Sequence, residues 1–141
     1  MPQDYAQAAR WYRKAADQGY AKAQYNLGIL YGTGKGATQD YAEAANWSRK
    51  AADQGDPVGQ AFLGRFYLSG QGVPTDYVQA DMWLTLALSR PSTADQVQTE
   101  QAGKDNKSDA LATKLRDYIE GIMTEDQIAE AHRLAREWKP K

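Results

Sequence analysis

DYAQAARWYRKAADQG (Asp4–Gly19) lies over DYAEAANWSRKAADQG (Asp40–Gly55) with 13 of 16 positions identical. At the same offset of 36, AQYNLGILYGTGKG (Ala23–Gly36) meets GQAFLGRFYLSGQG (Gly59–Gly72). Asp4–Gly36 and its copy share 19 of 33 residues, where unrelated stretches of average composition would share about 2. A third copy starts on schedule with DYVQADMWLTLA (Asp76–Ala87), keeps Asp76, Tyr77, Ala80, Trp83 and Ala87, and then diverges. Self-similarity at a fixed period of roughly this length is the mark of a repeat architecture.

Each unit reads as two helices and two turns. Tyr41, Ala44, Trp47 and Ala51 step by three, three and four, one face of an α-helix. Asp40 stands before it as an N-cap and Gly55 after it as a stop. The next helix opens at Pro57, a residue suited to a first turn, and carries Leu63, Phe66 and Tyr67; its counterpart carries Leu27, Leu30 and Tyr31. Gly28 and Gly64 follow the leucine each time. A mid-helix glycine costs about 1 kcal/mol against alanine, so its recurrence predicts close approach of a neighbouring helix. The turns Gly34–Gly36 and Gly70–Gly72 end this helix and reverse the chain. One hairpin of this size cannot bury both apolar faces, whereas stacked copies can.

The pattern Ala23, Leu27, Gly28, Tyr31, Gly34, Gly36, Asp40, Tyr41, Ala44, Trp47, Ala51, Ala52, Gly55 resembles the Sel-one-like repeat, a relative of the tetratricopeptide repeat. The second unit departs from it in having Gly59 where that family favours alanine, which is expected to loosen its helix. The resemblance implies an all-α fold: a right-handed α/α superhelical solenoid of antiparallel helix pairs with a C-terminal capping helix. It also implies a bacterial, tetratricopeptide-like protein. Repeats are expected over 1–90, with helices at about 4–18, 21–31, 40–54, 57–68 and 76–89. A polar insertion follows over 91–106, and a degenerate repeat helix and closing helix over 107–141.

The two ends differ. The chain opens on a Trp helix without its Leu-Gly partner; Pro2 aligns with Pro74 and Met1 with Val73. Either a longer chain was cut there or a native start is covered by a second molecule. In both cases the face with Tyr5 and Trp11 lacks cover within this chain and is a candidate self-association surface. At the other end Met82, Leu84 and Leu86 replace the polar Asn46, Ser48 and Lys50, and a helix apolar nearly all round needs burial on several sides. The expected cover is the helix Glu125–Glu137, with Thr124 as N-cap and Ile128, Leu134 and Trp138 facing inward. A helix over Ser108–Ile122, with a stripe of Leu111, Leu115, Tyr118 and Ile122, takes the place of the missing Leu-Gly helix.

Composition narrows function. The 17 basic and 18 acidic residues give a net charge of −1, which argues against a nucleic-acid binder dependent on many phosphate contacts. No apolar run is long enough for membrane insertion. There is no cysteine, so thiol catalysis and thiolate zinc sites are absent, and the compartment stays open between cytosol and periplasm. GTGKG (Gly32–Gly36) is not a P-loop: Gly36 follows Lys35 where a hydroxyl is required, and a helix precedes it. Asp17 and Asp53, in the repeated AADQG, read as polar helix ends. His132 reads as a lone surface histidine without a carboxylate pair at ligand spacing. No nucleophile elbow or zinc-protease motif is present. Asn106-Lys107-Ser108 fits a glycosylation acceptor, a triplet common by chance. The expectation is no catalytic residue, no metal and no cofactor.

The residues that recur are assigned to the core: Trp11, Leu27, Gly28, Tyr31, Tyr41, Ala44, Trp47, Leu63, Gly64, Tyr67, Tyr77, Ala80 and Trp83. Each periodic tryptophan is expected to bury its ring, so that truncation costs about 3–5 kcal/mol. By analogy with tetratricopeptide arrays the Leu-Gly helices line a concave groove. Positions −5, −2, +2, +5 and +6 from the leucine then face it: Lys22, Tyr25, Ile29, Gly32 and Thr33, followed by Val58, Ala61, Arg65, Leu68 and Ser69. These differ between units while the frame stays constant, as a recognition surface would. The reading is a non-catalytic adaptor or scaffold module that takes a protein or peptide segment, with Tyr25 and Arg65 as anchors. The alternatives are an enzyme or small-ligand binder for cell-wall-related compounds, as implied by some relatives, and a structural spacer.

Overall fold

The computed structural model describes residues 4–89 and 106–141. The aligned Met1 and Pro2, and all of the 91–106 insertion except Asn106, lie outside the described residues. The helices are α1 (Tyr5–Asp17), α2 (Ala21–Thr33), α3 (Tyr41–Asp53), α4 (Pro57–Ser69), α5 (Tyr77–Leu88), α6 (Asn106–Ile122) and α7 (Glu125–Glu137). No strand occurs among the described residues. The chain is an all-α helical repeat solenoid.

The periodic sequence writes periodic caps. Asp4, Asp40 and Asp76 each accept a hydrogen bond from a backbone N–H three residues on, at 3.0, 3.1 and 3.1 Å, satisfying donors the helix start leaves open. Asp56 caps α4 with Pro57 just inside. Thr124 and Gln127 form a reciprocal capping box at α7. Each helix from α1 to α4 packs on the next, and α5 packs on α4, α6 and α7. The helices α2, α4 and α6 also touch one another in turn. That row is the inner wall of the stack, and α1, α3 and α5 form the outer one.

Two clusters make the core. Ala16, Ala23, Leu27 and Trp47 form one. The larger runs from Ala52 and Leu63 through Ala80, Met82, Trp83 and Leu84 to Ile119, Ala131 and Ala135. Leu63 is fully buried and Trp47 nearly so. The apolar circumference of α5 is accounted for by its three neighbours, and Ile128, Leu134 and Trp138 pack on that cluster. The two recurrent mid-helix glycines mark close helix approach. A Cβ on Gly28 would lie 3.0 Å from Ser48 Oγ and 3.1 Å from the Ala44 carbonyl; one on Gly64 would lie 3.0 Å from Leu84 Cγ and 3.1 Å from the Ala80 carbonyl. Gly59 does not loosen α4, contrary to expectation. A Cβ there would stand 2.7 Å from Ala51 Cβ and 2.9 Å from Ala52 N, so α4 sits closer to α3 than alanine would permit.

Three expectations need correction. Trp11 is not core: it is 62% exposed, because among the described residues α1 packs on α2 and no helix covers its other face. Tyr77 is also exposed, at the outer start of α5. In α6 the stripe Leu111, Leu115, Tyr118, Ile122 is rotated by one residue. Ala112, Ile119 and Met123 are buried, Leu115 is half-buried, and Leu111, Tyr118 and Ile122 face solvent. Both stripes have helical spacing. Ala112 lets α6 approach α5 where a larger residue would hold it off.

Candidate functional site

The inner wall carries two adjoining depressions. One, of about 290 Å³, is lined by residues including Ile29, Thr33, Phe62, Arg65, Phe66 and Leu68. The other, of about 100 Å³, lies between α4, α5 and α6 and includes Val58, Ala61 and Leu111. Phe62, Arg65 and Leu115 border both, so the two adjoin as a shallow, divided channel with Arg65 between its halves. The Arg65 guanidinium carbon stands 5.7 Å from the Phe62 ring centroid, a stacking distance that holds the cation over the apolar floor. Among the described residues no carboxylate lies within salt-bridge reach of Arg65.

Of the groove positions read from sequence, Ile29, Gly32, Thr33, Val58, Ala61, Arg65, Leu68 and Ser69 line this channel. Lys22, which is exposed, and Tyr25, which is half-buried, do not. Ala61 and Leu68 also pack on the core. Phe62, Phe66, Tyr41 and Leu115 line it too and were not foreseen. Phe66 had been spent on the core stripe, and Leu115 comes from a helix whose rotation the sequence left open.

Other recurrent polar residues are framework. Arg13 and Arg49 donate to the hydroxyls of Tyr31 and Tyr67. Buried Gln24 and Gln60 donate to the carbonyls of Ala16 and Ala52 at 3.2 and 3.4 Å. Gln54 bridges units by donating to the Gly19 carbonyl at 2.9 Å and to Gln24 Oε1 at 2.8 Å.

A second constellation lies at the junction of α5, α6 and α7. His132 is not a lone surface histidine. Its Nε2 is 2.8 Å from Glu120 Oε2 and 3.4 Å from Asp81 Oδ2. Three helices converge there, so spacing along the chain gives no sign of it. Asp81 is fully buried, and its carboxyl oxygens are approached by the Glu120 carboxyl and by His132 Nε2 at 3.4 Å. Burial, followed by the adjacent Glu120 carboxyl, pushes the Asp81 carboxyl up to about 8, while Arg116 pulls it down. The repeat did hold a signal: Asp81 occupies the position of Ala9 and Ala45, a carboxylate where the frame uses a methyl group.

That carboxyl has a pH consequence. With its pKa raised in the folded state from an unfolded value of about 3.9, the folded chain binds the proton more tightly. The stabilisation is complete below the unfolded pKa and is lost as pH rises to about 8. In chelator-treated protein, Asp81→Asn is therefore expected to raise the urea midpoint at pH 8.5 and to bring little gain near pH 4.5. An equal effect at both pH values would remove this account.

Comparison with known proteins follows the same lines. A family model described as Sel1 repeat matches residues 1–20, 21–56 and 57–91. A protective antigen present in uropathogenic Escherichia coli strains and displaying an SLR fold is similar over 98% of this chain, with 34% identity and a TM-score of 0.79. A Sel1 repeat protein from Oxalobacter formigenes is similar over 65% of this chain, with 36% identity and a TM-score of 0.61. This chain spans 27% and 38% of the lengths of those two chains. Among curated proteins none matches.

Proposed function

Because the chain belongs to the Sel1 repeat family, whose members are typically protein-interaction modules, we propose that it is a non-catalytic adaptor that takes up a protein segment in its inner channel. The observation that carries this reading is the channel itself: apolar walls from Ile29, Phe62, Phe66 and Leu68 around an exposed cation at Arg65. Such a surface suits a short segment with apolar side chains and one carboxylate, either acidic or C-terminal. The apolar contacts supply area, and the arginine fixes register through a forked hydrogen-bonding pair. Binding energy at such sites concentrates in a few anchors, and Arg65 is the first of them.

The test begins with peptides selected from a random display library on the intact chain. Arg65→Glu is expected to weaken a selected acidic peptide at least tenfold, while changing Lys22, outside the channel, to glutamate leaves affinity within about twofold. Selected peptides that bind both variants alike would place recognition elsewhere. A second surface, the open face of α1, is proposed for self-association. A depression of about 590 Å³ lies against Trp11, Leu27 and Tyr31 there.

A further inference from the structure

We infer that Asp81, Glu120 and His132 form a site for a divalent transition-metal ion of the zinc type, joining the last repeat to the closing helix. Their ligand atoms all lie within 4.8 Å of one another. A tetrahedral zinc ion bound at about 2.0–2.2 Å holds its ligands about 3.3 Å apart. His132 Nε2 and Asp81 Oδ2 are already at 3.4 Å, and His132 Nε2 and Glu120 Oε2 at 2.8 Å. Two of the three ligand separations are therefore within about half an ångström of that value, and the third, between the two carboxyl groups, lies within 4.8 Å.

Independent support comes from Asp81. A carboxyl buried away from solvent is costly to ionise, and it occurs where the other units carry alanine. A metal ion would hold that buried carboxyl in its ionised form. The cluster is also asymmetric: Asp81 lies at its floor, while the side chains of His132 and Glu120 are 38% and 24% exposed. That leaves an approach from solvent and a fourth position for water, the arrangement of a three-ligand zinc site. Charge is compatible. Once both are ionised, the two carboxylates beside Arg116 leave one net negative charge, and the ion would turn it positive by one. The imidazole ligand disfavours magnesium and calcium, which take oxygen donors.

The ligands come from α5, α6 and α7, far apart in the chain, so the ion would tie the closing helix and the degenerate repeat helix to the final Trp helix. Binding that requires the folded arrangement raises stability by mass action. This inference stands apart from the groove and does not depend on its occupant.

The test uses the full chain without a histidine tag, stripped with a chelator. Titration calorimetry with zinc chloride is expected to give one equivalent at a dissociation constant in the micromolar range or below. Cobalt(II) should give the visible absorption of a tetrahedral ion. Zinc at a hundredfold excess over its dissociation constant should raise the melting midpoint by about 5–10 °C, and magnesium should not. His132→Gln and Glu120→Gln change partly exposed groups and are expected to fold; each should lower zinc affinity at least tenfold. Asp81→Asn should do the same while keeping a midpoint in chelator at least as high as the native chain. Absence of saturable one-equivalent binding, or affinity unchanged in His132→Gln and Glu120→Gln, overturns the site even if Asp81→Asn fails to fold.

Discussion

Gly72→Ala is expected to lower the stability of the chain by at least about 3 kcal/mol, the sum of a left-handed backbone penalty and overpacking. Gly72 sits at φ +76°, and a Cβ built there would lie 2.2 Å from the Tyr41 carbonyl oxygen and 2.6 Å from its carbon. Those atoms are backbone at the first turn of α3, held by the Asp40 cap, so no side chain can swing aside. The turn after α4 is thereby pressed onto the start of the preceding Trp helix, and a methyl group there pushes two units apart. Gly36 makes the equivalent approach to Tyr5, at 2.1 Å, but among the described residues α1 packs chiefly on α2. In a quasi-one-dimensional array an element packed on one neighbour can fray while the others hold, so Gly36→Ala should cost less. Gly121→Ala, where nothing lies within 4 Å, should be neutral or stabilising by up to about 1 kcal/mol. Denaturant midpoints of the three variants check the order. Equal losses at Gly72 and Gly121 would mean that helix propensity alone, and not the close approach, accounts for the turn.

The repeat made the frame legible because each periodic residue meets the same neighbours in each unit. Trp47 and Leu63 could be assigned to the interior from spacing alone, and Asp40 and Asp76 to caps. The groove positions were read from the same register, and Ile29, Arg65 and Ser69 among them line a depression. Legibility failed where periodicity failed. Trp11 has the repeat's residue without the repeat's surroundings: the pattern assigned it to the core by period, although the uncovered face of the first helix was legible from the same alignment. In α6 no second copy fixed the rotation, and the stripes through Tyr118 and through Ile119 both have helical spacing. The cluster at Asp81 was hidden for a related reason. Its members are 39 and 12 residues apart in sequence, and only the fold of the divergent tail unites them. The departure from alanine at position 81 was the one local sign, and it is a sign that a repeat alignment is well placed to give: a charge replacing a small buried residue needs a partner.

Trp83→Ala is expected to be among the most damaging single truncations, at about 3–5 kcal/mol, whereas Trp11→Ala should cost less than about 1 kcal/mol despite occupying the same repeat position. Trp83 is buried, and its ring meets Trp138 edge-to-face with centroids 5.9 Å apart at 72°. Removing it exposes the seam between α5 and the closing helix and leaves Trp138 without its aromatic partner, so Trp83→Ala and Trp138→Ala should be less than additive in a double-mutant cycle. The indole N–H of Trp83 has no acceptor. Trp83→Phe, which keeps much of the ring area and removes that orphan donor, should therefore recover much of the loss. Trp11 has no such seam; its ring stands in the open with Lys14 Nζ 5.5 Å from the centroid. Its truncation should instead reduce any concentration-dependent association seen by sedimentation, since the open α1 face is where a second copy would seat. Comparable destabilisation at Trp11 and Trp83 would mean that α1 is already covered in solution. In that case the midpoint of the native chain should also rise with protein concentration, because an interface that forms only between folded copies is linked to folding by mass action.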